Sequence, residues 1–298
     1  MTVTERGFRL AHLSDLHIGP LPTAELRTLL GKRALGYLSW HLRKRRIHRL
    51  EVLAALRQDL QAVGLDHIAI TGDLVNVALP AEFLQAADWL RALGPPEWIS
   101  VVPGNHEAYG PVLTEESLAH WADFMSADEA PARPANFPYL RRRGPLALIG
   151  LSSASLSPPG FATGRLGPGQ LAELDRLLAE LGDTRCYRVV LLHHPPLEGT
   201  STWRKRLIDA GPLRDIIETR GADLVLHGHE HVSSHGSLAG QNGPLPVIGV
   251  PSASSVDPRP KHAAQYQIHT IESSEQGWRL HSQTRRYDPA SLSFTAAA

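Results

Sequence analysis

Seven side chains scattered from Asp15 to His231 are of the types that hold divalent metals: Asp15, His17, Asp73, Asn105, His193, His229 and His231. Together they offer two carboxylates, one amide oxygen and four imidazoles. Such a nitrogen and oxygen set suits borderline ions such as Mn, Fe, Co, Ni or Zn. Two pairs, Asp15/His17 and His229/His231, are spaced i and i+2. In an extended segment such residues point the same way, so each pair is expected to converge on one ion. Gly72, Gly104 and Gly228 stand directly before presumed ligands, where a missing side chain lets the backbone pass close to an ion.

Every cluster closes an apolar run of strand length. Residues 8–13 lead into Ser14-Asp15-Leu16-His17, 68–70 into Thr71-Gly72-Asp73, and 98–102 into Pro103-Gly104-Asn105-His106-Glu107. Residues 189–192 lead into His193-His194-Pro195-Pro196, and 224–226 into His227-Gly228-His229-Glu230-His231. Between these runs, leucines recur three or four apart at Leu50, Leu53, Leu56 and Leu60, and again at Leu171, Leu174, Leu178 and Leu181. That is the spacing of an amphipathic helix. Further helices are expected over 81–93, 114–125 and 212–219. Strands alternating with helices predict an α/β fold, whose ligands gather beyond the carboxyl ends of the strands. A β-hairpin is expected at about 264–285, and residues 295–298 are expected to fray. Loops rich in Pro, Gly and Ser are expected over 127–138, 152–169 and 240–260. None of them reads as a domain boundary, so 1–298 is read as one domain.

Composition bounds the rest. The chain has 298 residues, 42% hydrophobic and 20% charged, and 30 Lys+Arg balance 30 Asp+Glu. This excludes a disordered chain and gives no global basic charge for nucleic acid. No apolar run approaches the roughly 18 residues that cross a bilayer. Cys186 stands alone, so no internal disulfide forms, as fits a reducing compartment. Residues 8–13 are too short and polar for the apolar core of a signal peptide. A cytoplasmic enzyme is the expectation, with no obligate protein partner.

The motifs D-x-H, G-D, G-N-H-E, H-x-P and G-H-x-H, in this order, resemble the calcineurin-like metallophosphoesterase superfamily, its bacterial phosphodiesterase branch most of all. The resemblance covers roughly residues 8–271. It implies a four-layer α/β/β/α sandwich in which two mixed β-sheets are flanked by helices. It also implies two metal ions (Mn, Fe or Zn). Asp15, His17 and His231 would hold the first, Asn105, His193 and His229 the second, and Asp73 would bridge both. The family pattern selects His193 over the adjacent His194. His106 would face the phosphate, either to protonate the leaving oxygen or to stabilise developing charge. Two ions ~3.5–4 Å apart clamp a phosphoryl group and turn a bridging water into a hydroxide nucleophile near neutral pH. The implied activity is phosphodiester hydrolysis. A pyrophosphohydrolase or phosphodiesterase acting on a lipid-linked substrate at the membrane surface is the alternative. A non-catalytic metal-binding scaffold of the same fold is the reading from another class. Asp73 is followed by Leu74-Val75-Asn76-Val77, so the longer G-D-x-V-D-R-G signature of Ser/Thr protein phosphatases is absent.

Residues 26–50 carry eight Lys and Arg, including Arg27 and the run Arg43-Lys44-Arg45-Arg46, and no acid. Leu35, Leu38 and Leu42 form a narrow helical stripe beside Tyr37 and Trp40. The segment is expected to form a basic cap over the site, loosened by hinges at Gly31 and Gly36. It would recruit an anionic substrate or an anionic membrane surface. Four successive charges on an α-helix surround its axis, so that turn is expected to stay unburied. His48 is expected to be structural or at the surface.

Overall fold

The computed structural model describes residues 7–24, 28–29, 31–110, 117–128, 136–182, 184–241 and 243–297. Arg27 and residues 114–116 of the expected helix lie outside them. Two six-stranded mixed sheets form the centre. The first contains β1 (Phe8–Leu13), β2 (His67–Ile70), β3 (Ile99–Val101), β10 (Gln265–Ser274), β11 (Gly277–Asp288) and β12 (Ser293–Ala296), in the order β12-β11-β10-β1-β2-β3. The second contains β4 (Tyr139–Arg143), β5 (Leu146–Gly150), β6 (Tyr187–Leu191), β7 (Leu224–His227), β8 (Ser234–Gly240) and β9 (Gly243–Gly249), in the order β4-β5-β6-β7-β9-β8. The helices are α1 (Lys32–Leu42), α2 (Leu50–Ala62), α3 (Pro80–Leu93), α4 (Gly167–Gly182) and α5 (Ala210–Arg220).

Period-two alternation divides the second sheet between two cores. Leu148, Val189, Leu191, Leu224 and Leu226 pack toward the first sheet. Ala147, Ile149, Val190 and Val225 pack with Leu174, Leu178, Leu213 and Ile217 of α4 and α5. The first sheet alternates too, but its inward face mixes apolar residues (Phe8, Leu10, Ile271) with buried polar ones. On β10, Tyr266 bonds Asp59 of α2 while Gln267 reaches across to His235 of the other sheet. His12, His67 and His269 share that inward face, fully buried and bonded to Thr71, Ser100 and Ser282.

Several elements differ from the expectation. Residues 243–249, expected as loop, form β9 between β7 and β8. Because β7 pairs only with Val247–Gly249, Pro244 and Pro246 fall where β9 has a single neighbour and a missing N–H is tolerated. Thr295 and Ala296 do not fray: they pair with Arg286 and Arg285. The hairpin strands are longer than expected, with Ser274 pairing directly to Gly277. The apolar segment Leu118–Met125 winds as 3-10 helix, broken at Trp121, rather than as an α-helix.

Candidate dinuclear metal site

Strands β1, β2 and β3 run parallel in their sheet, as do β6 and β7 in theirs, and all five end at one rim. The loops beyond them are tied across the sheets. Asp15 N–H donates to Gly72 O (2.9 Å), Gly228 N–H to His193 O (3.1 Å), and His229 N–H to the Asp15 carboxylate (3.0 Å). Gly228 is required here, because a Cβ at that position would lie 1.9 Å from Ser14 Oγ.

The rim brings the seven expected residues into two touching sets. Ligand atoms of Asp15, His17, Asp73 and His231 all lie within 4.8 Å of one another. Within that set His17 Nε2 is 3.2 Å from His231 Nε2, which is 3.0 Å from Asp15 Oδ1. In the second set, His193 Nε2 stands 3.3 Å from Asp73 Oδ2, 3.3 Å from Asn105 Oδ1 and 3.3 Å from His229 Nδ1. Asp73 belongs to both. The donor chemistry fits a pair of cations. Asp15 Oδ1 is buried with no hydrogen-bond donor, facing other ligand-type atoms. Burial alone would strip the proton from His193, yet Asp73 beside it carries its pKa up to about 10. Burial would likewise raise Asp73, but His193 and His106 hold it well below the usual carboxylate range. A site that charges its own imidazole against burial calls for positive charge.

The i, i+2 pairs converge by a different route from the extended backbone expected. Asp15 (φ 54°), His17 (44°), Asp73 (55°), His229 (74°) and His231 (50°) all adopt the left-handed region. Non-glycine residues pay about 1–3 kcal/mol each for such backbone, which persists only when the surroundings over-determine it. Two buried glutamates supply part of that constraint. Glu107 accepts the N–H groups of Asp73 (3.0 Å), Leu74 (2.8 Å), Val75 (3.1 Å) and Gly104 (2.6 Å). Glu82, in the first turn of α3, accepts those of Asn76 (2.6 Å), Val77 (3.1 Å) and Leu79 (2.9 Å). Burial, with Asp73 second, lifts Glu107 to about 7.

Backbone carbonyls fix which imidazole nitrogen is free. A carbonyl only accepts, so the ring nitrogen facing it carries the proton. His193 Nδ1 donates to Thr71 O (2.6 Å), His17 Nδ1 to Val75 O (3.3 Å), and His229 Nε2 to Lys205 O (3.0 Å). In the neutral ring each then has its other nitrogen bare toward the cluster, as a ligating histidine requires, so a cation arriving at His193 would displace the proton that Asp73 holds there. His194 is engaged elsewhere, through Ser153 Oγ (2.8 Å) and Ala162 O (3.1 Å).

His106 sits beside the cluster. Its N–H donates to Asp73 Oδ1 (2.8 Å), its Nδ1 to Asn76 O, and its Nε2 lies 3.9 Å from Asp73 Oδ2. Burial, then Lys44, lowers its pKa to about 3. Tyr109 stacks on its ring at 4.6 Å. Two residues of the basic segment, which sequence reasoning left outside the site, stand here as well. Lys44 Nζ is 3.2 Å from His106 Nε2. The buried His48 packs 4.5 Å from the His17 ring, with Nδ1 held by Ser254 Oγ (2.9 Å). The helix ends at Leu42, so the four charges do not encircle an α-helix. A 3-10 turn over Lys44–Arg46 instead sends Lys44 inward and leaves Arg43, Arg45 and Arg46 exposed. Gly36 makes close packing against Val77 and Tyr109, where a Cβ would meet them at 2.7 and 3.1 Å, rather than a hinge.

Comparison with known proteins agrees with this geometry. The family model described as calcineurin-like phosphoesterase matches residues 8–233. Glycerophosphodiester phosphodiesterase GpdQ of Enterobacter lignolyticus is 31% identical over 132 residues, 44% of this chain and 42% of that protein. The chain thus matches less than half the length of that relative. A probable cyclic nucleotide phosphodiesterase of Synechococcus sp. is 27% identical over 225 residues, 74% of this chain and 72% of that one. A dimetal phosphatase from Danio rerio superposes with a TM-score of 0.59 at 14% identity, over 95% of this chain and 100% of its own. A purple acid phosphatase from yellow lupin (Lupinus luteus) gives 0.58 at 14% identity, over 94% and 51%. These two likenesses establish the shared fold.

Proposed function

This chain belongs to the calcineurin-like phosphoesterases, and from that membership we infer that it is a dinuclear-metal hydrolase of phosphodiesters. The observation that carries the reading is the pair of ligand sets sharing Asp73, with three of their four imidazoles (His17, His193 and His229) locked by a carbonyl so that the other nitrogen turns inward. Asp15, His17, Asp73 and His231 would hold one ion, and Asp73, Asn105, His193 and His229 the other. When bound, such a pair of divalent ions supplies the Lewis acidity that activates water and neutralises charge on phosphoryl oxygens. The chain's own residues do the rest. Glu107 and Glu82 fix the loop that carries Asp73. Lys44 Nζ stands 3.2 Å from His106 Nε2 beside Asp73, positioned to grip the phosphoryl oxygens and to deliver a proton to the leaving oxygen, while His106, with Nδ1 turned to Asn76 O, accepts from that ammonium at Nε2 and orients it. The seat is buried, which strengthens each of these contacts. Diesters are favoured over phosphoproteins because the protein-phosphatase signature is absent and both curated relatives are named as phosphodiesterases. The test is kcat/KM for bis(p-nitrophenyl) phosphate, an aryl monophosphate and a phosphopeptide after reconstitution with Mn, Fe or Zn. Preference for the phosphopeptide, or full turnover after metal removal in strong chelator, would reject the reading.

A second reading, action at an anionic membrane surface, is favoured by one observation. Leu35, Leu38 and Leu42 are 56%, 56% and 67% exposed on α1, next to the outward Arg43, Arg45 and Arg46. An apolar stripe edged by basic charge suits the headgroup region, where each Lys or Arg adds ~1 kcal/mol. Among the described residues no helix is long and apolar enough to cross a membrane. Co-sedimentation with phosphatidylserine vesicles, lost on replacing Leu38 and Leu42 with Ser, tests this reading.

A further inference from the structure

Of the seven ligand residues, His231 alone is open: its side chain is 33% exposed while the others are buried. It forms part of the wall of a cleft of about 330 Å³ between the end of α1 and the segment 255–262. A substrate whose phosphoryl group reaches the metal site past His231 has this cleft beside it to take its non-reacting part. The cleft is large enough for a small ligand group, and its chemistry is specific. Arg43, Lys44 and Arg259 line it against a single carboxylate, Asp257, which holds the Arg259 guanidinium at 2.6 and 2.9 Å. His48 stands at the boundary, its ring 4.5 Å from that of His17 and 5.8 Å from that of His231. Lys44 belongs to both compartments, since it lines the cleft and also sets its ammonium 3.2 Å from His106 Nε2.

We propose that this cleft is a subsite for a second phosphoryl group, adjacent to the one being hydrolysed. The proposal rests on the dinuclear-metal hydrolase reading and moves its substrate from a simple diester to a disubstituted diphosphate. One ammonium touching both compartments requires the two anions to be neighbours, as in a diphosphate joined at both ends to organic groups. The excess of two cations over the one carboxylate covers the single charge of the second phosphate in the intact diphosphate and the further charge it gains as the anhydride bond breaks. Arg43 and Arg259 recognise that phosphate with guanidinium forks, and Lys44 spans the two groups. In the hydrolysis, water oxygen forms a bond to the scissile phosphorus. The anhydride P–O bond breaks, and its electron pair leaves on the second phosphate. The two protons of water end one on each product monophosphate.

The metal-loaded enzyme and its Arg43→Ala/Arg259→Ala variant decide the matter. Calorimetry compares pyrophosphate with orthophosphate, and kinetics compare a nucleoside diphosphate sugar with bis(p-nitrophenyl) phosphate. The native protein is expected to prefer pyrophosphate, and the variant to lose about tenfold or more of that preference, as befits lost charge-assisted hydrogen bonds. The ratio of kcat/KM between the two esters is expected to fall in parallel. An unchanged preference in a variant with native melting behaviour overturns the subsite. If the alanine variant does not fold, Arg43→Gln/Arg259→Gln carries the same comparison. Failure of the native protein to hydrolyse either ester with any divalent ion would overturn the dinuclear-metal hydrolase reading instead, and calorimetry would still decide the cleft.

Discussion

Two groups of buried histidines, only five residues apart where His12 precedes His17, do opposite things. His12, His67 and His269 lie on regular strands between the sheets, each with one nitrogen on a Ser or Thr hydroxyl and the other unpartnered. Burial pushes all three well down from their ordinary pKa, so they stay neutral. His17, His193 and His229 lie just past strand ends, with one nitrogen on a backbone carbonyl and the other facing carboxylates or further imidazoles. Burial is common to both groups. What separates them is the neighbour of the second nitrogen: nothing in the first group, a carboxylate or another ligand-type imidazole in the second. A buried histidine by itself is therefore no sign of a metal.

The largest expected effect is at the shared carboxylate. Asp73→Asn is expected to lower kcat/KM on the order of 10³-fold or more and to reduce metal content at both positions, read by elemental analysis. Retention of two ions per chain would break the contrast at its centre. Next, His193→Ala is expected to lose one ion, whereas His194→Ala keeps both and loses stability by about 1–3 kcal/mol, because the Ser153 hydroxyl proton and Ala162 O lose their imidazole partner. Denaturant titration and metal analysis on both variants read this. Glu107→Gln is expected to weaken metal affinity about 10- to 100-fold, the usual size for a residue that orients ligands, since its amide nitrogen faces backbone donors. Competition with a chelating dye measures it. The smallest effect is in the seam: His67→Ala is expected to cost about 1–3 kcal/mol while leaving metal content and kcat/KM unchanged. Loss of metal there would merge the two groups.

The ligands were legible because each cluster follows its strand without a break, so type and position are written together in five short stretches. Their grouping came from resemblance, since nothing local in Asp15 announces a partner at His231. The left-handed backbone was not legible, because Asp and His adopt it only under constraint from Glu107 and the facing loops. Lys44 and His48 were missed for a related reason. Their inward aim is set by where α1 stops and by Ser252 and Ser254, some 200 positions away. In β9, Pro244 and Pro246 argued for loop, and only the register of its neighbours shows why a strand survives there.

Distant parts of the chain meet at this site: His17 faces His231 across a separation of 214 residues. On a growing polypeptide, Asp15 and His17 emerge first and must wait for nearly the whole second sheet before their partners exist. The metal seat thus needs both halves of the chain, and neither half alone can trap ions in the native arrangement. Metal captured only by the finished fold ratchets it closed, by about 2.7 kcal/mol when free ion stands at 100 times its dissociation constant. Resistance to unfolding should then track the ion supply of the surroundings as much as the packing of the core.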